Sequence, residues 1–598
     1  MKLSRLYTNK PEKFTPIEFN DGLNVIYGEI RLPENRAKDT HNLGKSTLGR
    51  VLDFSLLAKR NPKSFLFKHF DKFKEFTFYL EIKLEKSQYL TIKRSVKNSS
   101  KVSFLKHSEK WQNYSDLDDP NWDHLNVTFD KAKKLLDGIL DLEGIKPWTF
   151  RNGINYFLRS QDDYGDVFRL RKFAGKDAQW KPYLAHSLGF NAELIASQYE
   201  IEVELEKKEN AAALIKKDLG AQFDDLNKLD GILLIKRRDL NKKQTLVDDF
   251  DFSDHDKEIT TKIIENIDTQ ISELNSERYS KLFNLRRVKQ AIEEDNIIFN
   301  PDEAESIFKE AGILFNGQIK KDFTQLIDFN RAITKERSTY LKEEKLALEN
   351  DLGLINKAIT SLNNERSKSL SFLSNTEIFS KYKQASNELV SLKADIEFLE
   401  RQKELFDSLK ALNKEIRKLN DQHDSIKIQI DEDIASKSSD DSSLYSNIRV
   451  FFSEIVHDVI NRNALINAGL NNVDHIDFKA EILNDSGVAT SEDSGFTYKK
   501  LLCIAFDLAI LRSHLTCKFP RFVFHDGIFE SLDNRKKENL LSVIRQYSEL
   551  GVQSIITVIS SDLPETAEGE SPIFSPTEIV CQLHDEGPNG RLFKMSAW

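Results

Sequence analysis

The sequence predicts an α/β lobe assembled from the two ends of the chain, with a long antiparallel helical hairpin between the halves and a small tip where the hairpin reverses. Two observations carry this reading. A buried strand (Leu23 to Tyr27), a loop and a helix opening on Gly44-Lys45-Ser46-Thr47 stand near one end, while an apolar strand closing on an acid, Phe522-Val523-Phe524-His525-Asp526, stands near the other. Between them the sequence is charged and helical in period, and an outgoing and a returning helix are what would bring the two ends together.

Composition points the same way. With 39% hydrophobic against 31% charged residues, the 598-residue chain is lean for a purely globular protein, so part of it is expected to be elongated and solvated. Only 13 Pro and 23 Gly argue against a large disordered fraction, and 40 Phe call for a substantial core. Cys503, Cys517 and Cys581 are too few and too scattered for a disulfide framework, and no Cys-x-x-Cys pair offers a zinc hook. The polar opening Met1-Lys2-Leu3-Ser4-Arg5-Leu6 and the lack of a long apolar run predict a cytoplasmic protein with no membrane partner.

A net charge of −9 means that any contact with a polyanion must be local. Lys59 to Lys110 is the basic exception. Lys59, Arg60, Lys63, Lys97 and Lys101 are the candidate contacts to double-stranded DNA, with Phe65, Phe67, Phe70 and Phe73 interleaved. The stretch reads either as a phosphate-contacting face or as a solvated surface over a Phe core.

Along the chain, the helix from Lys45 has Leu48, Val51, Leu52 and Leu56 on one face, and Phe76 to Leu84 with Tyr89 to Val96 alternate as an antiparallel hairpin. Ser115 to Trp148 reads as a mixed helical insertion, and Asn155 to Ser160 as a strand ending at Gln161. The seam is clearest on the return arm, where Leu405, Leu409, Leu412, Ile416, Leu419, Ile426 and Ile430 keep spacings of four and three, with His423 as a tolerated polar member. Gly220, Gly231 and the acidic stretch around Phe250 are expected to break or bend the outgoing arm. Ala435 to Ser443 reads as a linker. Beyond it, Ile476 to Leu483, Arg521 to Phe524 and Val552 to Ile559 read as strands and Tyr498 to Leu511 as an apolar helix containing Cys503. The predicted domains are 1–191 as the N-terminal half of the head, 192–295 as the outgoing arm, 296–332 as the tip, 333–436 as the returning arm and 437–598 as the C-terminal half of the head. Apolar residues of the tip either pack internally or pair with a second tip.

The candidate chemistry is phosphate binding. Backbone N–H groups at a helix N-terminus converge on phosphate oxygens, a lysine neutralises charge and a hydroxyl holds magnesium, which assigns Asn42, Gly44, Lys45, Ser46 and Thr47. The usual glycine spacing is violated, because Gly28 is the first glycine after the strand and Glu29 to His41 must bulge out. Asp526 ends its strand where a carboxylate reaches the water shell of the magnesium, and Gln161 fits a loop sensing metal and attacking water. Ser494-Gly495, before the apolar helix, fits a motif that reaches a partner's nucleotide in trans, and Asp533 fits a dimer-contacting loop.

In this order the parts resemble the head of the SMC and RecN class of ABC-type ATPases. Arg31 to Arg36, Asn42 to Thr47, Ile504 to Ala509 and Phe524-His525-Asp526 further resemble the SMC-like subunit of Lamassu-type antiphage defence systems. The resemblance implies an α/β ABC-type ATPase head, ATP and Mg2+ as ligands with Ser46, Gln161 and Asp526 around the metal, and a homodimer through the heads. It also implies a DNA clamp or sensor working with a nuclease effector subunit and a small accessory subunit. A repair ATPase of the RecN kind, or a non-hydrolysing coiled-coil scaffold, are the alternatives. Two departures bear on catalysis. Such ATPases place a glutamate directly after the strand-ending acid, where this chain has Gly527, and a histidine after the last core strand, where it has Ser560-Ser561-Asp562. Glu530 either supplies the missing carboxylate or is a surface acid.

Overall fold

The computed structural model describes residues 1–35, 43–85, 88–219, 226–248, 257–294, 317–369, 376–484, 486–490, 495–563 and 573–596. The chain divides into two units, Met1–Glu204 with Asn420–Trp598, and Leu205–Leu419.

The strands of the first unit are β1 (Lys2–Thr8), β2 (Ile17–Glu18), β3 (Leu23–Glu29), β4 (Thr77–Lys83), β5 (Tyr89–Ser95), β6 (Lys101–His107), β7 (His124–Thr128), β8 (Leu158–Arg159), β9 (Asn463–Leu470), β10 (Ile476–Leu483), β11 (Phe522–His525), β12 (Gln553–Ile559) and β13 (Ile579–His584). An antiparallel sheet runs β2-β1-β4-β5-β6-β7, and β9 pairs with β10. A wholly parallel sheet runs β13-β3-β12-β11-β8. It takes β3 and β8 from one end of the sequence and β11, β12 and β13 from the other, and β3 has its neighbours only in β12 and β13. A parallel sheet is covered on both faces: all seven residues of β12 are buried, the polar Gln553, Ser554 and Thr557 among them. The expected hairpin forms as β4 and β5, with Leu80 opposite Ile92 and Ile82 opposite Leu90.

Side chains stitch the ends further. Phe593 lies 5.1–6.3 Å, between ring centroids, from Phe14, Phe65, Phe73, Phe76 and Phe78. The Phe-rich stretch thus closes around a residue from the far end of the sequence. Gln553 accepts from the N–H of Leu3 and donates to its carbonyl, both at 2.8 Å.

Deep in the lobe, Arg159 of β8 makes a bidentate pair with Asp507 of the Phe496–Ser513 helix, at 2.8 and 2.7 Å. The guanidinium also donates to the carbonyls of Asp163, Asp166 and Val167, and His525 Nε2 lies 3.0 Å from Asp507 Oδ2. All three side chains are at most 1% exposed. Burial pushes the guanidinium pKa down, but Asp507 outweighs it and the net shift is upward. His525 is therefore a core residue. So is Cys503, whose thiol burial pushes up to about 12.

Three segments differ from expectation. The predicted linker is the end of a helix, Thr376–Ser439, followed by a turn and by Ser443, whose hydroxyl caps the helix Leu444–Ile460 by accepting from Ser446 N–H at 3.0 Å. The strand expected from Asn155 shortens to β8, because Asn155–Phe157 forms a 3-10 turn. Gly231 does not break its helix, Leu226–Asp248.

In the second unit the seam pairs as read: Leu405, Leu409, Leu412 and Ile416 pack with Ala212, Ile215 and Leu219. A single outgoing and returning pair is nevertheless corrected. Leu226–Asp248 runs antiparallel to Thr376–Ser439, with Lys403 on Asp230 at 2.7 Å and Lys243 on Glu388. The helix Lys257–Glu294 then runs back beside them, since Arg366 and Ser386 both meet Asp268, the rings of Tyr279 and Phe283 lie against Phe398, and Arg287 reaches Asp218 at 2.6 Å. Gly317–Ser369 is antiparallel to it, with Lys281 on Asp351 at 2.5 Å and Leu285 against Leu348 and Leu352. The unit thus carries two outgoing and two returning runs. The reason is apolar: a second helical pair offers Ile267, Ile271 and Leu285 a buried face that a lone two-helix seam lacks. Of the predicted tip, 296–316 lies outside the described residues and 317–332 is helix. Gly220 and the joint near Phe250 also lie outside the described residues.

The buried pair sets a stability test. Asp507→Leu strands the Arg159 charge, and removing one partner of such a pair costs about 3–5 kcal/mol. Urea unfolding should register that loss, and a change under about 1 kcal/mol would contradict it.

Candidate functional site

The parallel sheet brings the two sequence motifs to one edge. After β3, Gly44 takes a left-handed conformation (φ 94°) and the helix Lys45–Ser55 starts with no side chain capping it. Glycine is required twice over, because a Cβ here would also lie 2.8 Å from Leu592 Cβ, whose residue donates its N–H to the Leu43 carbonyl at 2.9 Å. An uncapped helix start holds N–H groups free to meet an anion. Asn42 and the middle of the bulge lie outside the described residues. The bulge begins on Asp585, whose carboxylate accepts from the N–H groups of Arg31 and Leu32 at 2.8 and 3.2 Å and from the Asn35 amide at 2.8 Å.

Lys45 follows at the helix start, with Ser46 exposed and Thr47 half-buried beside it. Burial pushes the Lys45 ammonium pKa down, and the nearby carboxylates of Glu530, Asp562 and Asp526 partly restore it. Asp526 itself is 1% exposed. Its Oδ1 accepts from the Thr557 hydroxyl at 2.7 Å, which in turn accepts from the Gly527 N–H at 2.8 Å. Its Oδ2 is buried without a hydrogen-bond partner among the described residues. A buried carboxylate oxygen left open suits a hard divalent cation, which takes oxygen ligands directly or through water.

Glu530 is half-buried. Gln161, which opens the 3-10 helix Gln161–Gly165, donates its amide to Glu530 Oε1 at 2.6 Å. Gly527 has φ 63°, and a Cβ there would stand 2.6 Å from Glu530 Oε1 and 2.5 Å from Gln161 Nε2. The Glu530 carboxylate therefore fills the space a side chain at 527 would take. Burial raises its pKa; Lys500 and Lys45 oppose the rise, and Asp562 and Asp526 reinforce it. One edge of the sheet thus holds two ammonium groups and three carboxylates drawn from both ends of the sequence. Sequence reading missed Lys500, Thr557 and Asp562. The signal available was a polar residue inside or next to an otherwise apolar run.

Gly495 stands at the N-cap of Phe496–Ser513, in extended conformation, and Ser494 lies outside the described residues. Asp533 caps the helix Asn534–Glu549, accepting from Lys536 N–H at 3.0 Å and pairing with its ammonium at 2.8 Å. That cap is the contact Asp533 makes in this chain.

In the basic stretch, Phe65 and Phe73 are buried, and Lys59, Arg60, Lys63, Lys97 and Lys101 are exposed. Arg94, 1% exposed, donates to the carbonyls of Phe54 and Ala58 at 2.5 and 2.9 Å and of Ser99 at 3.1 Å. It thereby holds the loop carrying Lys59 to Lys63 beside the turn carrying Lys97 and Lys101. Burial draws its pKa down to about 9, with Arg151 adding to the fall and Asp53 opposing it.

Residues 455–597 match a family described as an uncharacterised protein conserved in bacteria (DUF2326), a segment that holds Asp526 and Glu530 but not Lys45. No match is found among the curated proteins. Among solved structures the chain is similar to an Smc head domain with a coiled coil and joint from Pyrococcus yayanosii, at 16% identity and a TM-score of 0.35 over 93% of this chain and 92% of that one. It is also similar to an Smc head domain from Pyrococcus furiosus with an extended coiled coil, bound to the C-terminal domain of ScpA, at 12% identity and 0.32 over 94% and 90%. A further similarity is to an SmcHead bound to the C-winged helix domain of ScpA, at 10% identity and 0.31 over 94% and 91%.

Proposed function

We propose that the first unit is an SMC-like ATPase head that binds ATP and Mg2+ and pairs with a second copy around two nucleotides. The observation that carries the proposal is the meeting of Lys45, Asp526, Gln161 and Glu530 beyond the C-terminal ends of the strands of a parallel sheet drawn from both ends of the chain. Lys45 and the N–H groups of the helix start would hold the phosphates. Ser46, Asp526 and Gln161 would hold the magnesium, which when bound supplies charge neutralisation at the phosphates. The chain's own part in hydrolysis falls to Glu530. It takes a proton from water as the water oxygen bonds to the γ-phosphorus, while the bond from phosphorus to the bridging oxygen breaks and its electron pair leaves on ADP. The proton then passes to phosphate or solvent. Ser494 and Gly495 would face the partner's nucleotide, and Asp533 would lie in the contact between heads. Lys59, Arg60, Lys63, Lys97 and Lys101 would meet DNA phosphates. In a Lamassu-type defence complex, as the sequence resemblance implies, this clamp would control a nuclease effector together with a small accessory subunit.

Four outcomes test the proposal. Lys45→Ala should weaken ATP binding tenfold or more in an equilibrium titration, about 1.4 kcal/mol or above. Steady-state turnover should fall on the acid side through a pH above the ordinary glutamate value, because the proton acceptor must be ionised and Glu530 holds its proton longer than usual. Glu530→Gln should remove about 10²–10⁴-fold of that turnover. DNA binding should be strongest at low salt, and neutralising Lys59 and Lys97 should flatten its log–log salt dependence by about 0.9 for each phosphate that is no longer neutralised.

A further inference from the structure

Position 527 carries no side chain, yet the site does not lack a carboxylate in that space. Gly527 to Glu530 forms a tight turn, in which the Glu530 N–H donates to the Gly527 carbonyl at 3.3 Å. The turn is pinned from outside. Lys500, on the Phe496–Ser513 helix and 1% exposed, donates from Nζ to the Gly527 carbonyl and to the Glu530 carbonyl, both at 2.9 Å. One buried ammonium thus grips both ends of the turn. One helical turn earlier, the Thr497 hydroxyl donates to the Ser531 carbonyl at 3.3 Å. A lysine engaged only in packing would carry its charge to solvent along an apolar stem. Lys500 instead spends it on two carbonyls beneath a carboxylate, in an interior where an unmatched charge is costly.

We propose that Lys500 is the positioning residue of this site: by closing the Gly527–Glu530 turn it swings the Glu530 carboxylate into the space left open at Gly527, where Gln161 holds it. The absence of a side chain at 527 is part of the same device, because a Cβ there would collide with Glu530 and Gln161. Lys500 lies on the helix whose first residues follow Ser494-Gly495, so any shift of that helix would reach the Glu530 carboxylate through one side chain.

The inference rests on the ATPase reading above, and the experiment separates the two. ATP affinity, kcat and KM are measured on the full chain with MgATP for wild type, Lys500→Met, Lys500→Arg, Gly527→Ala and Lys45→Ala. Lys500→Met should leave ATP affinity within twofold and lower kcat by about 10- to 100-fold, as a misplaced reacting group does. Lys500→Arg, still able to reach two carbonyls, should recover part of kcat. Gly527→Ala should lower kcat with ATP affinity unchanged, by displacing Glu530 rather than by touching Lys500. If Lys500→Met and Gly527→Ala keep wild-type kcat while Lys45→Ala abolishes ATP binding, the positioning role fails and the ATPase reading stands. If Lys45→Ala leaves ATP affinity unchanged, both fail.

Discussion

The parallel pairing of β3 with β12 on one side and β13 on the other is the constraint on which the rest of the first unit depends. A strand buried on both faces must have both edges paired, and β3 finds both partners more than five hundred positions away, from Leu23↔Ser554 to Glu29↔His584. The N-terminal segment therefore cannot complete its core alone, and the C-terminal segment has a gap at its centre without it. Phe593 in the ring cluster and Gln553 on the backbone of Leu3 repeat the same dependence through side chains. The candidate site follows from it, because Gly44 to Thr47 follow β3 after the bulge and Asp526 directly follows β11, with β12 between the two strands.

Within that frame the site is an exercise in charge held at low exposure. Burial lowers the pKa of Lys45 and Lys500 and raises that of Glu530; Glu530 opposes the fall at both lysines, and both lysines oppose the rise at Glu530. Arg159 and Asp507 solve the same problem by fully satisfying one another. The contrast sorts structural from chemical groups. The Arg159–Asp507–His525 network is saturated with partners, whereas Asp526 keeps one oxygen open and Glu530 is held by a single amide.

What the sequence discloses depends on how local its signals are. The β4–β5 alternation, the Lys45 helix, the apolar β11 and β12 and the seam from Leu405 to Ile416 are short-range patterns, and the structure has them. The linker reading fails because Ser and Asp serve both loops and helix caps, and Ser443 does the second. The doubled arm is invisible in the sequence because a helix facing one partner and a helix facing two differ only in the width of the apolar stripe, and Ile267, Ile271 and Tyr279 widen it gradually. At the site, residue types at fixed spacing point to Lys45, Gln161 and Asp526. Glu530 is ambiguous in the sequence because its placement depends on a positive φ at Gly527 and on Lys500, neither of which spacing reveals.

The most direct measurement is ATP affinity with and without Mg2+, by equilibrium titration, in wild type and in Asp526→Asn. If the two ends of the chain form one metal-assisted nucleotide site, Mg2+ tightens binding in wild type, and that increment disappears in Asp526→Asn while metal-free binding survives. An increment that persists in Asp526→Asn, or no ATP binding by wild type, would contradict the account.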